Sequence, residues 1–150
     1  MKPEHGTGMF VDRIKQYGHD VTHGSVAQMF AFVAGVLLVL AGIVGMVLNA
    51  DFSTGNSIAT ESLLFMDVNG WSSLLLLVTG AILLVGRRSV DRARKSALAV
   101  GVVYLVLTVW SLFDNTLLGM VPINDMTAIV YAAIGVLGVT AGLGPERRSS

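Results

Sequence analysis

The one spacing in this sequence that is typical of metal ligands is formed by two histidines near the N-terminus. His19 and His23 are four residues apart, with His5 upstream. On a helix, side chains at this spacing share a face, so both imidazoles could approach one ion. Gly18 and Gly24 flank the pair and disfavour a helix, and no third ligand is held nearby. We therefore expect exposed histidines in a tail rather than a metal site.

The remaining candidates for chemistry are hydroxyl groups inside apolar stretches. They are Ser72, Ser73, Thr79, Tyr104, Thr108, Ser111, Tyr131 and Thr140. No base stands beside them to activate a nucleophile, and no Gly-rich phosphate loop follows a strand. The chain has no cysteine, which excludes thiolate chemistry and disulfides. We predict a protein that is not an enzyme and has no cofactor.

The elements that hold these hydroxyls are long apolar segments. Hydrophobic residues make up 53% of the chain and charged residues 13%, with a mean hydropathy of +0.71. Four segments without Asp, Glu, Lys, Arg or His approach the length needed to cross a hydrocarbon layer of about 30 Å. They are residues 29–48, 69–86, 96–113 and 127–144. Ion-coupled transporters and proton relays usually place an acidic or basic residue at membrane depth, so the absence of such residues here argues against those classes.

Charge is segregated along the chain. All ten lysines and arginines lie in residues 1–28, in the central segment Arg87–Lys95 or in residues 145–150, whereas residues 51–67 and 115–125 have none. Short basic loops stay in the cytoplasm. The central loop therefore predicts the orientation of every span. Its basic residues are Arg87, Arg88, Arg92, Arg94 and Lys95. We expect a multi-pass plasma-membrane protein with both termini and this loop in the cytoplasm.

The predicted fold class is an all-α membrane domain over residues 29–144, with four transmembrane helices in two antiparallel hairpins. Residues 1–28 and 145–150 form cytoplasmic tails in this interpretation. Apolar residues at helical spacing in the first tail fit an interfacial helix, and a partly ordered tail is the alternative. The first apolar run leads into no signal-peptide cleavage site, so we expect it to stay in the mature protein.

The two halves of this domain resemble each other before the second and fourth spans. Residues 63–69 resemble residues 117–124 with one inserted residue, which aligns Asn69 with Asn124. An internal duplication would give parallel repeats about an axis along the membrane normal, whereas convergence of two similar helical hairpins would give the same pattern. Each asparagine precedes a span, so we expect it to cap that helix.

Small residues four positions apart predict close helix packing. Because lipid is as apolar as leucine, membrane helices associate where small residues let their backbones approach. Three such pairs lie toward the cytoplasmic ends of the first, third and fourth spans, where we expect them to meet at one depth. They are Ala31 and Gly35, Ala97 and Gly101, and Gly138 and Gly142. We expect them to pack within one chain in preference to joining two chains.

Depth in the membrane predicts two further features. Tyr104 falls in the middle of the third span and Thr79 near the middle of the second. A phenol there has no water to bond, so we predict a Tyr104–Thr79 hydrogen bond, the alternative being a lipid-facing Tyr104. Trp71 and Trp110 both fall at the predicted outer boundary, where tryptophan is enriched.

Three segments carry a family resemblance. Residues 65–71, 101–105 and 117–124 together resemble a family of small actinobacterial four-helix integral membrane proteins of unknown function. The resemblance covers about residues 29–144. Members often carry histidines after each of the two asparagines, where this chain has Ser72-Ser73 and Thr127-Ala128. A metal or haem role for those histidines therefore does not transfer to this chain.

The function that this sequence favours is that of an accessory or assembly partner in the membrane. The expected partners are the lipid bilayer and either another membrane protein or further copies of the chain. A small transporter or channel acting as an oligomer is the alternative. A third interpretation is anionic-lipid sensing through Arg87–Lys95. The formal net charge of zero indicates no basic surface for nucleic acid.

Overall fold

The computed structural model describes residues 8, 11–13, 25–55 and 60–145 of the chain. His5, His19 and His23 lie outside the described residues, as does most of the tail for which an interfacial helix was considered.

Long helices form most of the described structure. Helix α1 spans Val26–Leu48, α2 spans Gly70–Gly86, α3 spans Val90–Ser111 and α4 spans Asp125–Leu143. Among the described residues, α1, α3 and α4 are long and apolar enough to cross a membrane, whereas α2 is a shorter apolar helix of 17 residues. At 1.5 Å per residue, α2 is roughly 25 Å long.

The prediction that Arg87–Lys95 is a loop is wrong from Val90 onward. Helix α3 begins at Val90, before the apolar stretch that starts at Ser96. The Ser89 side chain accepts a hydrogen bond from the Arg92 N–H at 3.3 Å and thereby caps the helix. Lys95 also pairs with Asp91 one turn earlier, at 2.9 Å. Helix-forming residues and a cap start the helix here, and hydropathy does not detect either.

Two small antiparallel β-hairpins interrupt the predicted all-α fold. In the first, β1 (Glu61–Leu63) pairs with β2 (Met66–Val68), and in the second, β3 (Thr116–Leu117) pairs with β4 (Val121–Pro122). These strands have two or three residues each, too few to give a readable alternation of polar and apolar residues. Both β-hairpins lie at one end of the helices, which we call the β-hairpin end; Arg87–Lys95 lies at the opposite, basic end.

Glycines bring the helices together in two pairs. Helix α1 packs along α2, and α3 along α4, while contacts between the pairs are less extensive. A Cβ built at Gly35 would lie 3.1 Å from the Gly80 carbonyl, and one at Gly101 would lie 2.6 Å from the Val139 nitrogen. Backbone therefore touches backbone within each pair. Larger buried side chains form the core, among them Leu38, Leu76, Leu83, Tyr104 and Tyr131.

Candidate functional site at the β-hairpin end and in the polar core

Asn69 joins the two halves of the molecule while it caps α2. Its Oδ1 accepts a hydrogen bond from the Ser72 N–H at 2.9 Å, and its own N–H donates to the Ser72 hydroxyl at 2.8 Å. The other end of the carboxamide donates from Nδ2 to the Met120 carbonyl of the second β-hairpin at 2.6 Å. Because the Asn69 side chain is fully buried, every polar atom that it brings inside requires such a partner.

Asn124 makes the matching contacts in the other half. Its Oδ1 accepts from the Thr127 N–H and from the Thr127 hydroxyl, both at 2.8 Å. Its Nδ2 donates to the Phe65 carbonyl in the turn of the first β-hairpin at 3.0 Å. Each asparagine thus caps its own helix and holds the β-hairpin of the other half. The capping role follows from position in the sequence, whereas the bond to the other half was not predicted.

Both halves contain further hydrogen bonds at this end. The Asp51 carboxylate accepts from the N–H and hydroxyl of Ser53, and the Asp114 carboxylate accepts from the same groups of Thr116. The Trp71 Nε1 donates to the Phe52 carbonyl at 2.9 Å, and the Trp110 Nε1 donates to the Thr116 carbonyl at 3.1 Å. Both tryptophans therefore lie at the β-hairpin end with their N–H groups bonded.

The turns of the β-hairpins contain large apolar residues in left-handed backbone conformations. Leu64 has φ 48° and Phe65 has φ 71° in the first turn, and Leu118 has φ 52° in the second. Such φ values are unfavourable for residues with a bulky side chain. The three side chains are 81%, 78% and 69% exposed, so packing within the described structure does not explain them.

The polar core lies between the two helix pairs. The Thr79 hydroxyl and the Tyr104 phenol oxygen are 2.9 Å apart, which confirms the predicted pair. The alternative of a lipid-facing Tyr104 is wrong, because that residue is fully buried. The Tyr131 ring stands edge-on to the Tyr104 ring, with 4.9 Å between their centroids. Tyr131 was not predicted to take part. Its place one turn into the apolar span, in line with Thr127 on the same helix face, is the signal that could have identified it.

The small residues predicted to pack helices fall into two separate contacts. Gly35 on α1 approaches Gly80 and Leu84 of α2, whereas the remaining glycines of the set meet between α3 and α4. A Cβ at Gly138 would lie 2.8 Å from the Ala97 carbonyl, and one at Gly142 would lie 2.9 Å from the Arg94 carbonyl. Ala31 and Ala97 are fully buried. The structure therefore brings Ala97, Gly101, Gly138 and Gly142 together and leaves Ala31 and Gly35 in the other pair.

At the basic end, two arginine side chains contact neighbouring helices. The Arg87 guanidinium lies 4.2 Å from the centre of the Phe32 ring, and the Arg94 Nε donates to the Gly142 carbonyl at 3.1 Å. Arg88 and Arg92 are exposed. All basic side chains of this segment are exposed except Arg94, which is half-buried.

Acidic side chains in the described part of the chain were candidates for holding a metal ion. No group of three or more His, Cys, Asp or Glu side chains comes together within that part. A shallow pocket of about 280 Å³ at the β-hairpin end is lined by the polar residues Asp67, Asn115, Asn124 and Asp125, with Pro122 and Ile123. The two carboxylates in this pocket fall short of a cation site on their own. The geometry here is that of a joint between two halves.

Comparison with known proteins identifies a family. No curated protein and no solved structure matches the chain. The family model described as Domain of unknown function (DUF4383) matches residues 28–144, a range that begins in α1 and ends directly after α4. The match confirms the resemblance to a family of unknown function. Since it covers well over half of the chain, the protein belongs to the DUF4383 family.

Proposed function

We propose that this protein crosses the plasma membrane four times, with both termini and Arg87–Lys95 in the cytoplasm, and acts as a non-enzymatic accessory or assembly partner of other membrane proteins. We propose that the four helices form two antiparallel hairpins. The contacts of the first pair, α1 and α2, support this arrangement. Gly35 faces Leu84, whereas Gly42, further along α1, faces Leu77, earlier in α2. Helix α2 is short for a span, so we expect it to lie with little tilt.

The observation that carries the proposal is the closed core between the helix pairs. The Tyr104 and Tyr131 rings fill its centre, and the Thr79 hydroxyl bonds both the Tyr104 phenol and the Leu75 carbonyl. The Thr108 hydroxyl donates to the Tyr104 carbonyl of its own helix at 2.8 Å. The centre of a single chain is therefore filled by aromatic rings and bonded hydroxyl groups, while large apolar side chains on every helix face outward. Such a surface suits lipid and other membrane helices.

A photocrosslinking residue on the outward face of α1 tests this proposal. Leu37 is exposed, and its neighbour Leu38 is buried, so the two positions are matched in sequence and differ in what they face. In native membranes we expect Leu37 to crosslink to one other membrane protein and Leu38 to crosslink only within the chain. Crosslinks from Leu37 to lipid or to this chain alone would contradict the assembly role.

Flux through proteoliposomes tests the oligomeric channel directly. We expect the purified protein to leave the permeability of the vesicles to water and small ions unchanged. A flux that rises with the protein content, together with crosslinks between copies at Leu37, would replace the assembly role with the channel.

A further inference from the structure

Both β-hairpin tips place large apolar residues at positive φ, where turn-forming residues would cost less. Leu64 and Phe65 form the two-residue turn between Leu63 and Met66, and both have positive φ. Turns of this kind strongly favour Asn-Gly or similar pairs, which adopt this backbone with little strain. Since Leu64, Phe65 and Leu118 are largely exposed, the benefit of their side chains must come from something outside the described structure.

In each tip, a turn carbonyl accepts a hydrogen bond from an asparagine of the other half. The Phe65 carbonyl accepts from the Asn124 carboxamide and the Met120 carbonyl accepts from the Asn69 carboxamide, at 3.0 and 2.6 Å. In water a turn carbonyl needs no such donor, because solvent supplies one. In a bilayer every unpaired backbone group is costly. The two internal donors therefore suit turns that lie where water is scarce.

The same two bonds set the level of the tips. Asn69 and Asn124 are the N-caps of α2 and α4, so each tip is held beside the first turn of an apolar helix. Trp71 lies in the first turn of α2, at the level where tryptophan marks the membrane interface. A tip held there reaches the boundary between headgroups and acyl chains.

We propose that Leu64, Phe65 and Leu118 insert into the outer leaflet as apolar anchors at the membrane interface. The proposal rests on the four-span placement given above. Three side chains are too few for a stable protein interface, which buries about 800 Å² on each partner. An already anchored protein loses little further freedom when the same side chains enter lipid. Lipid therefore fits these tips better than a soluble protein does.

Nitroxide labels on single cysteines test the depth of the tips, since the natural chain contains no cysteine. The labels are placed at Leu64 and Leu118, with Ser62 on the exposed side of β1 and Val78 on the outward face of α2 as controls. The protein is reconstituted in phosphatidylethanolamine–phosphatidylglycerol vesicles, and collision rates with oxygen and with a water-soluble nickel chelate are compared. We expect the oxygen-to-nickel ratio at positions 64 and 118 to exceed that at position 62 by about threefold or more, as for interfacial residues.

Two outcomes overturn the proposal in distinguishable ways. Nickel access at positions 64 and 118 equal to that at position 62, beside a lipid-exposed Val78, would reject the insertion alone and would leave the tips as a surface for a soluble partner. Nickel access at Val78 as well would reject the span of α2 and therefore the membrane placement on which the insertion rests.

A variant that keeps the turn gives a second, independent measurement. Leu64→Asn combined with Phe65→Gly introduces the residues that this turn prefers. If the hairpin stands free in water, the variant should therefore exchange its backbone amides with solvent more slowly than the wild-type protein. If the tip is anchored in lipid, the same variant loses the anchor, and we expect amide exchange in Glu61–Val68 to become about tenfold faster in vesicles. Slower exchange in vesicles would overturn the insertion.

Discussion

The hydroxyl of Thr79 on α2 lies 2.9 Å from the phenol oxygen of Tyr104 on α3, which joins the two helix pairs near mid-length. The Thr79 hydroxyl is also 2.7 Å from the Leu75 carbonyl of its own helix. Since a carbonyl only accepts, Thr79 donates its single proton to Leu75 and accepts the proton of Tyr104. The direction of the bond between the pairs is thereby defined.

This bond predicts a coupling between Tyr104→Phe and Thr79→Val. Each substitution removes one partner, so the loss of stability in the double variant should be smaller than the sum of the single losses by about 0.6 kcal/mol, the average for hydrogen bonds in membranes. Unfolding of the four proteins in detergent measures the difference. Thr79→Ser keeps the hydroxyl and should retain the coupling. Additive losses in the Val cycle would show that the bond contributes nothing.

Replacing Asn69 separates capping from the bond between the halves. Asn69→Ser keeps a good capping group but cannot reach the Met120 carbonyl, so we expect a loss of roughly 1 kcal/mol in the free energy of unfolding. Asn69→Ala loses the cap as well, and we expect roughly 2 kcal/mol. Denaturant titration in detergent gives both values, and the Asn124 variants should show the same order. Equal stability of the wild-type and Ser proteins would contradict a stabilising role for the contact with Met120.

Gly138 lies where the backbones of α3 and α4 are in close contact, so a larger side chain there should destabilise the protein. A Cβ at this position would lie 2.8 Å from the Ala97 carbonyl, so Gly138→Leu must separate the two backbones and should cost about 1–3 kcal/mol or more. Ala133 lies on the exposed face of the same helix, and Ala133→Leu is the matched control with little expected effect. The melting temperatures in detergent compare the two. Equal melting temperatures would mean that α3 and α4 do not pack closely.

The proposed orientation predicts which single cysteines react on intact cells. Ser62 and Ser89 are both exposed, but they lie at opposite ends of the helices. An impermeant maleimide should label Ser62→Cys on intact cells and label Ser89→Cys only after lysis. The reverse pattern would invert the orientation, and labelling of both on intact cells would require a different number of spans.

The predictable parts of this fold are those that depend on local sequence or on depth. Apolar length located the helices, and counting residues along two spans located the Thr79–Tyr104 pair. The start of α3 at Val90 was missed, because its first turns are polar and carry no hydropathy signal. The contact of Gly35 with Gly80 was missed too, since the choice of partner helix depends on how the spans are arranged in space.

The joint between the halves could not be predicted for a related reason. The Asn69–Met120 and Asn124–Phe65 bonds connect residues 51 and 59 positions apart. They depend on two β-hairpins, and the turn of the first contains Leu64 and Phe65 in place of the usual turn-forming residues. A turn without its sequence signal leaves the strands on either side without one.

Because each asparagine donates a hydrogen bond to the other half, neither half of the molecule is complete alone. A chain that ended after α2 would leave the Asn69 Nδ2 without the Met120 carbonyl and the Phe65 carbonyl without the Asn124 Nδ2. With the tips in lipid, as proposed above, both omissions would be costly, so we expect either half to recruit a copy of its counterpart or fail to fold. The expected cooperative folding unit is then the whole domain, in which each half supplies the hydrogen-bonding group that the other lacks.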